Sequence, residues 1–476
     1  MLNDFFSIFL PQGCLLFFII LQLILGLTLS PKLYKHARLI SLIAVSLSAI
    51  LLSTVQVEPQ YFGFRNAVMS DNYTLLFHFM ILICGFFVIL LTKNLVANIK
   101  KNAYIFHSVL LTAIFGAINI VSANDFLTLF ISVELLAFPT YFLISSSKGY
   151  FSKEAAFKYL ITSAVSTGIF LFGVSYLYGL TASLDFSIIY ETISDREPSL
   201  LYTLSGIMIT LGLISKLSVF PFANWIIDVF KGCETSILAF LSTIPKIAMF
   251  GIICRLLVFT LSMSFELSFV IAIVSLITAL WANTYAIREN NVKVILACSS
   301  AANASYVLLV ASLVSVYNLS TVIFYLICYV LMNLSVFAFL NITQTNGIGV
   351  IVNDFSGLFH KNHTLTSAYI IAIIGLAGLP ITSGFVAKIY LFSAIANSGL
   401  IFIPFLLALL ILMVVALFYY LKLILPMFEQ AAVDTKVLKA IYSQKFVLII
   451  TAIATVLIGI YPEKLIELCK FIAYNI

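Results

Sequence analysis

The chain has 476 residues, of which 62% are hydrophobic and only 9% charged, with a formal net charge of +6. So little charge excludes an ordinary soluble domain, and basic residues scattered through short loops do not form a nucleic-acid footprint. Apolar runs of roughly 18–25 residues recur along the chain, the length that crosses a hydrocarbon core of about 30 Å. The alternation of membrane β-barrel strands is absent. The expected fold class is an all-α polytopic membrane protein.

Fourteen spans are predicted, near 10–30, 38–56, 73–95, 103–122, 125–146, 156–180, 200–227, 235–260, 266–287, 293–316, 319–342, 366–396, 401–425 and 444–462. The first follows Met-Leu-Asn-Asp, without a basic leader or a clean small-residue cleavage site, so it reads as a span and not a signal peptide. When loops are alternated between two sides, sixteen basic residues from Lys32 to Lys445 fall on one side. Only Arg65, Arg196, Lys464 and Lys470 fall on the other. Basic loops stay cytoplasmic, so both termini are expected on the outer face, most simply of a bacterial inner membrane.

Within the fifth span, NDFLTLFISVELLAFPTYFLI, Glu134 lies well inside, and Lys158 opens the sixth in KEAAFKYLITSAVS. Snorkelling to the interface accounts for Lys158 equally well. The seventh span, ITLGLISKLSVFPFANWIIDVFKG, carries Lys216 five residues before Pro221. A proline there frees carbonyls that lipid cannot satisfy. The eighth, LAFLSTIPKIAMFGIICRLLVF, places Pro245 and Lys246 near mid-membrane, with Arg255 closer to its outer end and open to a purely structural reading. In the twelfth, AIIGLAGLPITSGFVAKIYLFSAI, Gly375, Gly378, Pro380 and Gly384 interrupt the pattern before Lys388.

A charge at bilayer depth costs at least about 2.5–3.5 kcal/mol, so intramembrane ionisable groups usually face a partner or water. A buried carboxylate stays ionised only near a cation, and Lys216 is the expected partner of Glu134. Pro221, Pro245 and Pro380 are expected to open their helices. Paired broken helices point to a transport site in repeat-built transporters. Spans four to eight and nine to thirteen therefore read as two inverted five-helix repeats. The expected divisions are an N-terminal three-helix segment at 1–102, repeats at 103–260 and 261–425, and a C-terminal loop with the last helix at 426–476.

The seven cysteines form no C-x-x-C, and no phosphate-binding glycine motif occurs. Neither a metal nor a cofactor is expected in this chain, and His360 and His363 lack further ligands.

The run Asn124–Leu143, then FKYLITSAVSTGIFLFGVSYLYGLTASLDF, SKLSVFPFANWIIDVFKG, LSTIPKIAMFGIICRLL, KVILACSSAANASYVLL and GLAGLPITSGFVAKIYLFSAI together resemble the antiporter-like membrane subunits of respiratory complex I. The resemblance covers roughly residues 70–425, and the proline before Lys246 with Arg255 nine residues on favours the subunit N branch. It implies proton transfer through Glu134, Lys158, Lys216, Lys246 and Lys388. NADH, flavin, iron–sulfur clusters and quinone would then be held by partner subunits, alongside other membrane subunits in the bilayer. The chain departs from the family where P-F/L-H becomes Pro221-Phe222-Ala223, and D-V-Y-E-G becomes Asp228-Val229-Phe230-Lys231-Gly232. S-S-I-A-H-x-G becomes Ser299-Ser300-Ala301-Ala302-Asn303-Ala304-Ser305, so two relay histidines are missing. A subunit of a multisubunit sodium/proton antiporter and a non-pumping scaffold paralogue remain alternatives.

Overall fold

The computed structural model describes residues 2–28, 33–55, 60–147, 149–194, 199–259, 265–429 and 438–474. Of the basic residues used to place loops, Lys32, Lys148, Arg196 and Lys436 lie outside the described residues. In chain order come α1 (Leu2–Thr28), α2 (Tyr34–Ser53), a small antiparallel hairpin of β1 (Tyr61–Gly63) and β2 (Val68–Ser70), and α3 (Asn72–Leu91). Next are α4 (Lys93–Asn98), α5 (Ala103–Ser122), α6 (Phe126–Ser145), α7 (Tyr150–Thr181), α8 (Phe186–Ser194), α9 (Leu200–Ile214) and α10 (Trp225–Gly232). The chain continues with α11 (Thr235–Phe259), α12 (Phe265–Arg288), α13 (Val292–Ser312), α14 (Val316–Thr345) and α15 (Leu358–Lys361). It closes with α16 (His363–Ala377), α17 (Ser383–Asn397), α18 (Ile403–Ile424), α19 (Tyr442–Ile460) and α20 (Glu463–Tyr474).

Among the described residues, twelve of the fourteen predicted spans each contain one helix long enough to cross a membrane, and the seventh and twelfth are broken. The breaks fall where the sequence places them. α9 runs into a 3₁₀ turn at Ser215–Leu217, and helix resumes only at Trp225, past Pro221. α16 stops at Ala377 and α17 starts at Ser383, past Pro380. Pro245 corrects the expectation: α11 passes through it unbroken. A proline removes one backbone donor, and the closely packed surroundings of this span keep the remaining ladder helical.

Helix starts are set by side-chain caps. Asp71, Asp125, Ser199, Asn291, Ser315 and Asn362 accept a backbone N–H from the first turns of α3, α6, α9, α13, α14 and α16. These caps satisfy donors that a helix leaves unpaired at its start.

Two compact units divide the chain: Met1–Leu217 with Ile244–Val270 and Ile472–Ile476, and Ser218–Thr243 with Ile271–Phe471. In the first unit α5 is the buried centre, packed by α1, α2, α3 and α6, while α7 lies against α6 and α9. A Cβ on Gly212 would sit 2.5 Å from Cβ of Phe170, so only glycine lets α9 approach α7 this closely. In the second unit α14 is the buried centre, packed by α13, α16, α17 and α19. An isolated bridge ties Asp125, before α6, to Asp185, after α7. Another ties Asn291, before α13, to Ile351, after α14. Each closes a loop of sixty residues, and the second is displaced from the first by 166 positions.

Candidate functional site

The first cluster is built on α7. The close approach at Gly212 brings the end of α9 against α7, and there Lys216, 8% exposed, donates from Nζ to Oγ of Ser163. One turn further along α7, Thr167 donates from Oγ1 to Oε1 of Glu134 at 2.8 Å. Residues four apart share a helix face with Cβ atoms about 5–6 Å apart. The carboxylate and the ammonium are thus held one turn apart by neighbouring hydroxyls. Glu134 is half-buried and also borders a cleft of about 500 Å³, lined with Leu23 of α1, Ser108 and Thr112 of α5, and Phe138 of α6.

Lys158 is placed differently. Its side chain is 45% exposed and pairs with Glu154 at 2.9 Å on the same helix. At about 100° per residue it lies about 140° around α7 from Ser163. The hydrogen bonds that hold Glu134 and Lys216 on α7 do not involve it.

Lys246 is 3% exposed and is the twelfth residue of the 25-residue α11. Nine positions on, Arg255 is completely buried and donates from Nη2 to both carboxylate oxygens of Asp71, at 2.9 and 2.7 Å. Its Nη1 donates to the carbonyl of Val121 at 2.8 Å, and its guanidinium stacks 5.1 Å from the Tyr73 ring centre. Asp71 also caps α3 through the N–H of Thr74 at 2.7 Å. The pair is fully buried and joined by two hydrogen bonds from Nη2, the geometry that ion pairs need inside a protein, while Arg255 Nε has no hydrogen-bond partner among the described residues. His78, further along α3, meets Oγ of Ser122 through Nε2 at 2.8 Å.

In the second unit Lys388, 6% exposed, starts beyond the helix break and reaches back across it. Its Nζ donates to the carbonyls of Leu376 and Ala377 at 2.9 and 2.8 Å, the last turn of α16. Gly378 turns the chain there with φ +80°, and a Cβ on it would lie 2.5 Å from Cδ of Lys388. Lys216 and Lys388 share one principle. Each belongs to a broken helix: Lys216 lies in the turn that ends α9, and Lys388 places its ammonium on the carbonyl end of α16, where carbonyls lack helical partners and the helix dipole is negative.

A family profile described as NADH:quinone oxidoreductase/Mrp antiporter, TM, matches residues 123–416. The chain belongs to the NADH:quinone oxidoreductase/Mrp antiporter transmembrane family. It is 31% identical over 411 residues to NADH-quinone oxidoreductase subunit N of Anoxybacillus flavithermus, covering 83% of this chain and 81% of that one. Among solved structures it is similar to a chain of respiratory complex I from Thermus thermophilus with bound aureothin, at 25% identity and a TM-score of 0.82 over 96% of this chain and 98% of that one. A chain of the Mrp complex from Dietzia sp. DQ12-45-1b shares the fold, with a TM-score of 0.85 at 17% identity, over 100% of this chain and 98% of that one. The family match includes Glu134, Lys216, Lys246 and Lys388 but excludes Asp71 and His78.

Asn303 stands where the family resemblance places a histidine, and the second unit surrounds it with hydroxyls. Tyr325 donates to Asn303 Oδ1 at 2.6 Å, and Asn303 Nδ2 lies 3.3 Å from the Tyr420 hydroxyl. Ser299 and Tyr420 share a hydrogen bond of 2.5 Å, and Ser300 shares one of 2.8 Å with Tyr329. The sequence reading did not identify Ser163, Thr167 or Asp71 as partners of the charged residues, nor these tyrosines. Single hydroxyls in apolar helices carry little signal, whereas S-x-x-x-T at 163–167 is the one pattern that could have drawn notice.

Proposed function

We propose that the chain is a proton-translocating membrane subunit of an NADH:quinone oxidoreductase, the counterpart of subunit N. One observation carries this reading: four lysines, Lys216, Lys246, Lys293 and Lys388, are buried in or beside membrane spans, with Lys216 in the last turn of the broken seventh span and Lys388 donating to carbonyls at the break of the twelfth. The similarity to subunit N along most of the chain supports the assembly.

The Glu134 carboxylate stabilises the ammonium of Lys216 while the two are a turn apart. When they separate, Lys216 gives up an N–H proton to water on the way to Lys246, whose neutral amine takes it, and Lys388 receives it in turn. Lysine suits such a relay because its charge is lost readily away from water. Lys158, exposed and paired with Glu154, would feed protons from the basic face. NADH, flavin, iron–sulfur clusters and quinone belong to partner subunits in this proposal, and their redox reaction supplies the driving energy. The outward groove beside Glu134, at bilayer depth, fits cover by a neighbouring membrane subunit, because an ionised carboxylate facing lipid is costly.

We further propose that α5–α11 and α12–α18 form the two inverted repeats. Their matched bridges, matched caps at Asp125 and Asn291, and matched breaks support the division. We propose too that both termini lie on the outer face of a bacterial inner membrane, a reading supported by the basic loops. The second reading, a sodium/proton antiporter subunit, is favoured by the shared Mrp fold. Purification from native membranes separates the two. Attached flavin and iron–sulfur polypeptides are expected, whereas an assembly without them and with sodium-dependent proton flux would favour the antiporter.

A further inference from the structure

At the starts of α2 and α4 lies a group of cations that the proton path does not use. Lys35 and Arg38 occupy the first turns of α2, where the helix dipole is already positive and the first turn contains no acid. Lys93 opens α4, and Lys100 lies 6.0 Å from the Tyr34 ring centre. Tyr34, Lys35, Arg38, Leu39, Lys93 and Asn94 line one open cleft of about 270 Å³, and no carboxylate lines it. Among the described residues no acidic side chain pairs with any of these four cations. The cleft lies at the start of one membrane-long helix, α2, and just beyond the end of another, α3, and the ends of helices that cross the hydrocarbon core lie at headgroup depth.

An apolar track leaves the cleft along α2. Leu39, Ile43, Leu47 and Ile50 are 52%, 53%, 39% and 61% exposed and recur at helical spacing on one face. From Leu39 to Ile50 the rise is about 16 Å at 1.5 Å per residue, close to one leaflet of a hydrocarbon core about 30 Å thick. A soluble anion would use the cations but not the track.

We propose that this cleft binds the phosphodiester headgroup of an anionic phospholipid, with an acyl chain lying along the α2 track. The uncompensated positive charge selects against a zwitterionic headgroup, whose own ammonium would be repelled. Basic pockets between membrane helices bind such headgroups elsewhere by the same electrostatics. The inference does not rest on the proton reading.

The test is native mass spectrometry of the assembled complex, delipidated in mild detergent and titrated with phosphatidylglycerol. Each basic residue beside an anionic leaflet is worth about 1 kcal/mol, or roughly fivefold. Lys35→Gln with Arg38→Gln should therefore weaken binding by roughly 25-fold. Lys93→Gln with Lys100→Gln should act in the same direction, and it decides the matter if the first variant does not assemble. Lys439→Gln with Lys445→Gln, exposed cations in the second unit, should change binding by less than about twofold. Equal binding of phosphatidylcholine, displacement of the lipid by an equal concentration of inorganic phosphate, or unchanged binding in the assembled variants would each overturn the proposal.

Discussion

Replacing Gly378 by alanine tests whether the broken helix exists to hold Lys388. Two effects act at this position. Alanine at φ +80° costs about 1–2 kcal/mol in the left-handed region. Its Cβ would also fall 2.5 Å from Cδ and 3.0 Å from Nζ of Lys388, so the flexible lysine must move. Moving it breaks the bonds to the carbonyls of Leu376 and Ala377. Hydrogen bonds to a charged group are each worth about 1.5–3 kcal/mol, so the ammonium there is disfavoured by at least about tenfold. Gly399→Ala is the control, because Gly399 also has a positive φ, +115°, but its added Cβ would meet nothing within 4 Å. Assembly is read on native gels and proton transport in vesicles. Both variants should assemble, and only Gly378→Ala should lose transport, by about tenfold or more. Wild-type transport in Gly378→Ala, or an equal fall in Gly399→Ala, would refute the reasoning.

Glu134→Gln keeps the acceptor for Thr167 but removes the charge beside Lys216, so transport should drop several-fold while assembly persists; unchanged transport would mean the carboxylate is structural. Arg255→Ala should lower the amount of assembled complex, because it strands the buried Asp71 carboxylate at a cost of about 3–5 kcal/mol. Arg255→Met with Asp71→Leu should recover part of that loss in thermal unfolding, and a double variant worse than the single one would contradict the pairing.

The bilayer made much of this site legible. Charges in apolar runs stand out because lipid does not tolerate them idly, so Lys216, Lys246, Lys388 and Glu134 could be singled out before any coordinates. The breaks near Pro221 and Pro380 were equally visible, because proline and clustered glycine defeat the helix ladder locally. Pro245 gave the same signal without a break, since local sequence cannot weigh the packing that keeps α11 helical. Asp71 was hidden by distance: it reads as a loop acid before α3, and its partner Arg255 is 184 positions away. Ser163 and Thr167 were hidden because a hydroxyl costs little in a helix and becomes informative only beside a charge. α8 and α20 are short and too polar to register as spans, so both were absorbed into loops.

In the proposed relay Lys246 carries protons and does not merely fill space at mid-membrane. Lys246→Ala removes the carrier without adding a buried charge, and Lys246→Arg adds a guanidinium that holds its proton with a pKa above about 12. Proton pumping by the assembled complex in vesicles, with NADH-to-quinone electron transfer followed alongside, measures the difference directly. Pumping should collapse in both variants while the complex stays assembled, and pumping at the wild-type rate in Lys246→Ala would make Lys246 a structural residue.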